Sequence, residues 1–210
     1  MSLKLFGKAL LVVFSLSFAS HVVYNFCKQK KKRRQDDEVH EVLMFSYGAE
    51  PLKKSKYSKC MVTKSMDRLL HYLDKPRCNL DVCMYVLTNI ELTNALLKLN
   101  YRGIKIRLII DADMAFSSGS TIKKLEKQGI PVRWMKSTTL MHHKFCLIDT
   151  LAGDLVTPLV IMGSLNWTNN ALYGNWEDVA ITSQRQLVEQ YRIEFERLWT
   201  FKSSFITLFY

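Results

Sequence analysis

Apolar positions from residue 42 onward switch repeatedly between two spacings. Met66, Leu69, Leu70 and Leu73 fall at i, i+3, i+4 and i+7, one face of a helix that Pro76 ends. Leu80–Leu87 is nearly continuous in apolar residues, as expected of a strand covered on both sides. Leu92, Ala95, Leu96 and Leu99 then predict a helix ending at Gly103, followed by a strand over Ile104–Ile110. Ile122 and Leu125 predict another helix ending at Gly129, followed by a strand over Val132–Met135. Both junctions read Gly-Ile-x-(Ile/Val)-Arg, with glycine where a helix end needs a left-handed backbone. Val42–Phe45, Lys144–Asp149, Leu159–Met162 and Asp178–Thr182 are further strand candidates, and residues 48–61 read as a loop. Val188, Tyr191, Phe195 and Leu198 mark a last amphipathic helix. Such alternation predicts an α/β sandwich, a largely parallel or mixed sheet flanked by helices.

The N-terminus follows a different pattern. Residues 9–26 contain no formal charge, and at 1.5 Å per residue they just span a hydrocarbon core of about 30 Å. Lys28, Lys30, Lys31, Lys32, Arg33 and Arg34 come directly after. A block of this kind resists translocation and is attracted to anionic headgroups. The expectation is one uncleaved transmembrane helix with the globular part in the cytosol. A cleaved signal peptide, with a small-residue site near Ala19-Ser20, fits less well because the mature chain would open on basic residues. The division expected is a short segment 1–8, an anchor 9–26, a polybasic linker 27–41 and a globular domain 42–210.

With 48% hydrophobic and 23% charged residues, the 210-residue chain is neither disordered nor of low complexity. Its net charge of +11 suggests a nucleic-acid binder until it is located. Residues 1–34 hold eight bases and no acid, leaving 22 bases against 19 acids, or +3, on the rest. Cys27, Cys60, Cys78, Cys83 and Cys146 are odd in number with no framework spacing, so reduced thiols are expected.

Chemistry concentrates in Met141-His142-His143-Lys144. On a strand, His142 and Lys144 share one face while His143 points the other way. An imidazole beside a fixed ammonium suits a site where an anion is held and attacked. Past a hairpin, Gly163-Ser164-Leu165-Asn166-Trp167 offers donors at Ser164 and Asn166, and at Gly163 room for a ligand to approach the backbone. Glu177 follows just before another strand. His143 reads as a packed histidine.

The pattern His-x-Lys-x(4)-Asp followed by Gly-Ser-x-Asn, carried by His142, Lys144, Asp149, Gly163, Ser164 and Asn166, resembles the signature of the phospholipase D superfamily. A single copy in a short chain, with an apolar N-terminus, is similar to the mitochondrial phospholipase D or Zucchini-type group. The resemblance covers roughly residues 40–200 and implies a phospholipase D-type α/β/α sandwich with a mixed sheet. It implies a metal-independent phosphodiesterase without cofactor, in which His142 attacks phosphorus and a phosphohistidine forms. Lys144, Asn166 and Ser164 would hold the non-bridging oxygens, and Glu177 would orient the imidazole. His142, Lys144, Asp149, Asn166 and Glu177 form the candidate catalytic set, with Asp149 within it as structural support. A second histidine must serve as general acid, so a homodimer with both His142 residues in one site is implied.

The group resemblance further implies an endonuclease cutting single-stranded RNA, precursors of piRNA in the germline, at the mitochondrial outer membrane. The alternatives are a phospholipase D that converts cardiolipin to phosphatidic acid, and an inactive membrane-tethered RNA-binding scaffold. Thr150–Met162 is longer than the family's usual spacing and is expected to form an extended hairpin tip that could alter the rim of the groove. Relatives in the group carry a Cys/His zinc cluster ahead of the first helix. Here only Cys60, His71, Cys78 and Cys83 could be assembled for it, and buried free thiols are the commoner explanation. Lys53, Lys54, Lys56, Lys59, Lys64 and Arg68 form a basic stretch, either a solvated surface or a rim for a polyanion, which Lys123, Lys124, Lys127 and Arg133 could extend.

Overall fold

The computed structural model describes residues 16–25, 38–48, 50–136, 139–153 and 156–201. It divides into two units, residues 1–38 and 39–210. In the first, residues 16–25 form a helix, α1, and the rest of the expected anchor lies outside the described residues. Among the described residues no helix is long and apolar enough to cross a membrane.

The second unit is built on a seven-stranded sheet. Its strands are β1 (His40–Phe45), β4 (Asn79–Met84), β5 (Lys105–Asp111), β6 (Val132–Met135), β7 (Lys144–Ile148), β8 (Leu159–Gly163) and β9 (Glu177–Thr182), in the order β1-β9-β8-β7-β4-β5-β6. β4, β5 and β6 run parallel, and the remaining pairings are antiparallel. The segment expected to be a loop contains a small ribbon, β2 (Lys53–Lys54) paired with β3 (Met61–Val62). Helices α2 (Lys64–Leu73), α3 (Ile90–Tyr101), α4 (Ala112–Ala115), α5 (Ile122–Lys127), α6 (Asn169–Tyr173) and α7 (Arg185–Thr200) complete the unit.

Alternation along each strand divides the core into two layers. Leu80, Val82 and Met84 of β4 face a core shared with α2, α3, α5 and α6. Cys83, with Ile109, Phe145, Leu147 and Val160, faces Val188, Phe195 and Leu198 of α7. Both faces of β4 are therefore apolar, and the sequence there loses its period of two. Arg107 ties α7 down, pairing with the buried Asp81 at 2.7 Å and with Glu196 at 2.7 Å. Asn89 caps α3 by accepting from the Leu92 amide at 2.9 Å. Gly103 and Gly129 adopt φ of +78° and +80°, the left-handed turns that return α3 and α5 to the sheet.

Topology fixes where chemistry can occur. The parallel strand β4 ends where antiparallel β7 begins, β8 ends and β9 begins. One pole of the sheet thus gathers the segments around residues 142, 164 and 177. The hairpin between β7 and β8 turns at the opposite pole, because Ile148 pairs with Leu159 there. The described tip residues 150–153 and 156–158 therefore lie away from the groove and do not shape its rim, contrary to expectation.

Candidate active site

Lys144 opens β7, and His142 lies just before the strand, exposed. The Lys144 ammonium donates to the His142 carbonyl at 2.8 Å. Both side chains meet Tyr85, immediately past β4. Its ring centroid is 4.8 Å from that of His142 and 5.3 Å from Lys144 Nζ. Burial lowers the Lys144 pKa below the ordinary lysine value, and the nearby Glu177 charge pulls it partly back. His143 turns the other way, with Nε2 3.3 Å from Glu194 of α7 and its ring against Phe145. It is paired as expected, but exposed and not packed in the core.

Gly163 answers to packing. A Cβ there would sit 2.1 Å from the Asp178 carbonyl oxygen, so it is β9, and not a ligand, that approaches the backbone. The Ser164 amide donates to that carbonyl at 3.1 Å, and its hydroxyl accepts from the Asp178 amide at 3.1 Å. The same hydroxyl donates to Glu177. Asn175 Nδ2 donates to the other Glu177 oxygen at 2.9 Å. Both carboxylate oxygens are therefore engaged away from His142. The expected Glu177–imidazole bond is not formed, and the Ser164 proton is not aimed at a phosphate. The Glu177 charge nonetheless lies near enough to Lys144 to favour the ammonium form.

Asn166 lies between the buried Leu165 and Trp167. Trp167 anchors this loop to the segment after β4, accepting from the Thr88 and Asn89 amides at 3.0 and 2.9 Å and donating to the Val86 carbonyl at 3.1 Å. Among the described residues, Asn166 Oδ1 is buried without a hydrogen-bond partner. An unpaired buried acceptor costs about 1–3 kcal/mol and is uncommon outside functional sites.

Asp149 lies at the far pole, consistent with support. Its Oδ1 accepts from the amides of Arg77, Cys78 and Asn79 at 2.9, 2.7 and 3.2 Å. It is not part of the reacting constellation. The four candidate zinc ligands are also separated. His71 Nδ1 is paired with the Tyr57 hydroxyl at 2.6 Å, Cys60 lies 3.6 Å from Glu91, and Cys83 belongs to the opposite, α7-facing layer. Among the described residues no three His, Cys, Asp or Glu side chains converge as metal ligands would. Within the basic stretch, Lys53 pairs with Asp67 at 2.8 Å and Arg68 with Glu41 at 2.7 Å, whereas Lys54, Lys56, Lys59 and Lys64 remain exposed.

A family described as "Cardiolipin synthase, PLD-like domain" matches residues 69–199, which include His142, Lys144, Ser164, Asn166 and Glu177. The chain belongs to the phospholipase D superfamily. Within it, the chain is of the mitochondrial phospholipase D or Zucchini type. It is 30% identical over 218 residues to a mitochondrial cardiolipin hydrolase of Drosophila melanogaster, covering 90% of this chain and 86% of that protein. The proteins of the same name from Danio rerio and Homo sapiens are 40% identical over 139 residues and 35% over 162. These alignments cover 66% and 76% of this chain, but only 58% and 62% of those proteins. The fold is shared with Nuc of Salmonella typhimurium, at a TM-score of 0.60, 18% identity, and coverage of 78% of this chain and 95% of Nuc. NucT of Helicobacter pylori gives 0.59, 19%, 77% and 96%. As a phospholipase D superfamily member, the chain is a phosphodiesterase.

The Lys144 environment carries a pH prediction. As a charged ammonium Lys144 would hold phosphoryl oxygens, and its pKa is already lowered by burial. Glu177→Gln removes the charge that raises this pKa, so Lys144 will lose its proton at lower pH. The alkaline limb of the kcat/KM profile is expected to move to lower pH. A limb that stays in place in the glutamine variant would show that Glu177 does not act through Lys144.

Proposed function

We propose that the protein is an endonuclease for single-stranded RNA, cutting piRNA precursors at the mitochondrial outer membrane by way of a phosphohistidine. The names of its relatives support the mitochondrial location, and the apolar segment 9–26 supports anchorage there. In the first step the neutral His142 imidazole attacks phosphorus. A P–N bond forms while the P–O bond to the 3′ oxygen breaks, and the leaving oxygen takes a proton from His142 of the partner subunit. Water then attacks, giving its proton back to that imidazole, and the P–N bond breaks to leave a 5′-phosphate. Lys144 balances charge on the phosphoryl oxygens throughout. One motif per chain supplies one imidazole, which is why two chains are needed.

The observation carrying the choice of substrate is the set of exposed basic and aromatic side chains on the elements around this pole. The surroundings at this pole suit a polyanion with exposed bases. The β2–β3 ribbon, joined to α3 through Ser58 and Glu91, presents Lys54, Lys56 and Lys59. The start of α5, held by the Thr121 amide to the Leu87 carbonyl at 3.2 Å, presents Lys123 and Lys124. Phe116 and Trp134, 56% and 43% exposed, pack edge to face at 4.9 Å beside the ends of β5 and β6. Rings of this kind offer bases a stacking surface.

The names of the relatives favour a second reading, hydrolysis of cardiolipin to phosphatidic acid, and exposed Tyr47, Leu140 and Trp176 would suit a lipid surface. The two are separated by assaying the detergent-solubilised full chain on single-stranded RNA and on cardiolipin liposomes. RNA fragments with 5′-phosphates are expected, and release of phosphatidic acid with intact RNA would overturn the proposal. In the same assay, Phe116→Ser with Trp134→Ser should raise KM for RNA about 10- to 100-fold, from stacking worth roughly 1–3 kcal/mol per base. Cleavage of a small baseless phosphodiester should be unchanged.

A further inference from the structure

Tyr85 belongs to no sequence motif, yet among the described side chains its ring contacts both His142 and Lys144. Its position follows from strand register. Met84 pairs with Lys144 across the β4–β7 ladder, so the next residue of β4 emerges where β7 has not yet begun, beside His142. The segment beyond it is held firmly, because the Val86 carbonyl accepts from Trp167 and Leu87 bridges to Trp167. The imidazole meets the ring at an interplanar angle of 60°, an edge-on contact that restricts rotation of an otherwise exposed side chain. The ammonium lies over the same ring and is also bonded to the His142 carbonyl at 2.8 Å. The Glu177 oxygens accept from Ser164 and Asn175, and the hydrogen bond that Lys144 makes is the one to the His142 carbonyl. Among the described residues the Tyr85 hydroxyl makes no hydrogen bond, and the contacts made are those of its ring.

We infer that Tyr85 is a positioning residue, a ring that holds the His142 imidazole in its attacking orientation and the Lys144 ammonium beside it. The inference rests on His142 as nucleophile and adds an element that the signature residues do not contain. What matters is an aromatic face and edge at position 85. Phenylalanine supplies both, and leucine neither.

The test compares Tyr85→Phe and Tyr85→Leu in the full chain. Turnover is measured on bis(p-nitrophenyl) phosphate and on single-stranded RNA, and the His142 ring resonances are followed by NMR. Tyr85→Leu should lower kcat about 10- to 100-fold, as expected from misplacing a reacting group by a fraction of an ångström to an ångström. KM should stay within about threefold, and the His142 ring signals should lose their ring-current displacement. Tyr85→Phe should keep kcat within about threefold and leave those signals in place. Equal losses in both variants would assign the role to the hydroxyl and overturn the inference, as would a leucine variant that raises KM alone or changes nothing. Should the unmodified chain cleave neither substrate, the functional reading fails separately. The His142 resonances then still decide whether the clamp exists.

Discussion

Asparagine in place of His142 will lower phosphodiester cleavage by at least about 10³-fold while the protein remains folded. The loss follows from the chemistry, since an amide cannot form the covalent phosphoryl intermediate that divides the displacement into two easier steps. The folding expectation follows from the surroundings. His142 is exposed, and the side-chain contact it forfeits is the edge of the Tyr85 ring, worth about 0.5–1.5 kcal/mol. Rapid acid-free quenching with radiolabelled substrate should trap phosphate on the unmodified chain and none on the variant. Chemical denaturation should give similar midpoints for both. A clean asparagine variant that retains turnover would falsify the assignment of the nucleophile.

The second large effect is expected at Asp149, and on stability instead of rate. Its carboxylate gathers three consecutive backbone amides at the start of β4, and Asp149 itself adopts φ of +57°. Asp149→Ala would leave these donors without their acceptor, one of them on the buried Asn79, and would place a side chain ill suited to the left-handed region. Together these cost on the order of 3–5 kcal/mol, a large share of the stability of an ordinary domain. Asp149→Asn keeps an acceptor and tolerates the backbone, so it should lose markedly less. Both are measured by urea unfolding. Lys144 lies five residues away along β7, about 16 Å, and kcat of the folded asparagine variant should match that of the unmodified chain. A folded variant with lost kcat would return Asp149 to the reacting set.

Much of this arrangement is legible in the residue pattern because burial on two sides leaves a plain signature. The first part of the run at Leu80–Leu87 becomes β4, which ends at Met84, α2 buries the four residues at helical spacing, and β6 spans Val132–Met135 as expected. The motif residues His142, Lys144, Asn166 and Glu177 come to one pole because the antiparallel hairpin returns there. Short elements escaped for want of periods to read. α6 has five residues, and each strand of the β2–β3 ribbon has two. Partners chosen by packing escaped as well. Nothing in the motif shows that Ser164 and Asn175 engage Glu177, nor that register brings Tyr85 beside His142. The four residues considered for zinc do not converge, since Cys83 belongs to the α7-facing layer while α2, which carries His71, packs on the other face of the sheet.

The turn between β7 and β8 offers a practical handle. It sits at the pole remote from His142, and connections of this kind absorb added length at small entropic cost. A dye, an affinity peptide or a crosslinker spliced in after Gly153 would ride on the back of the catalytic unit, reporting its tumbling and assembly without shading the chemistry.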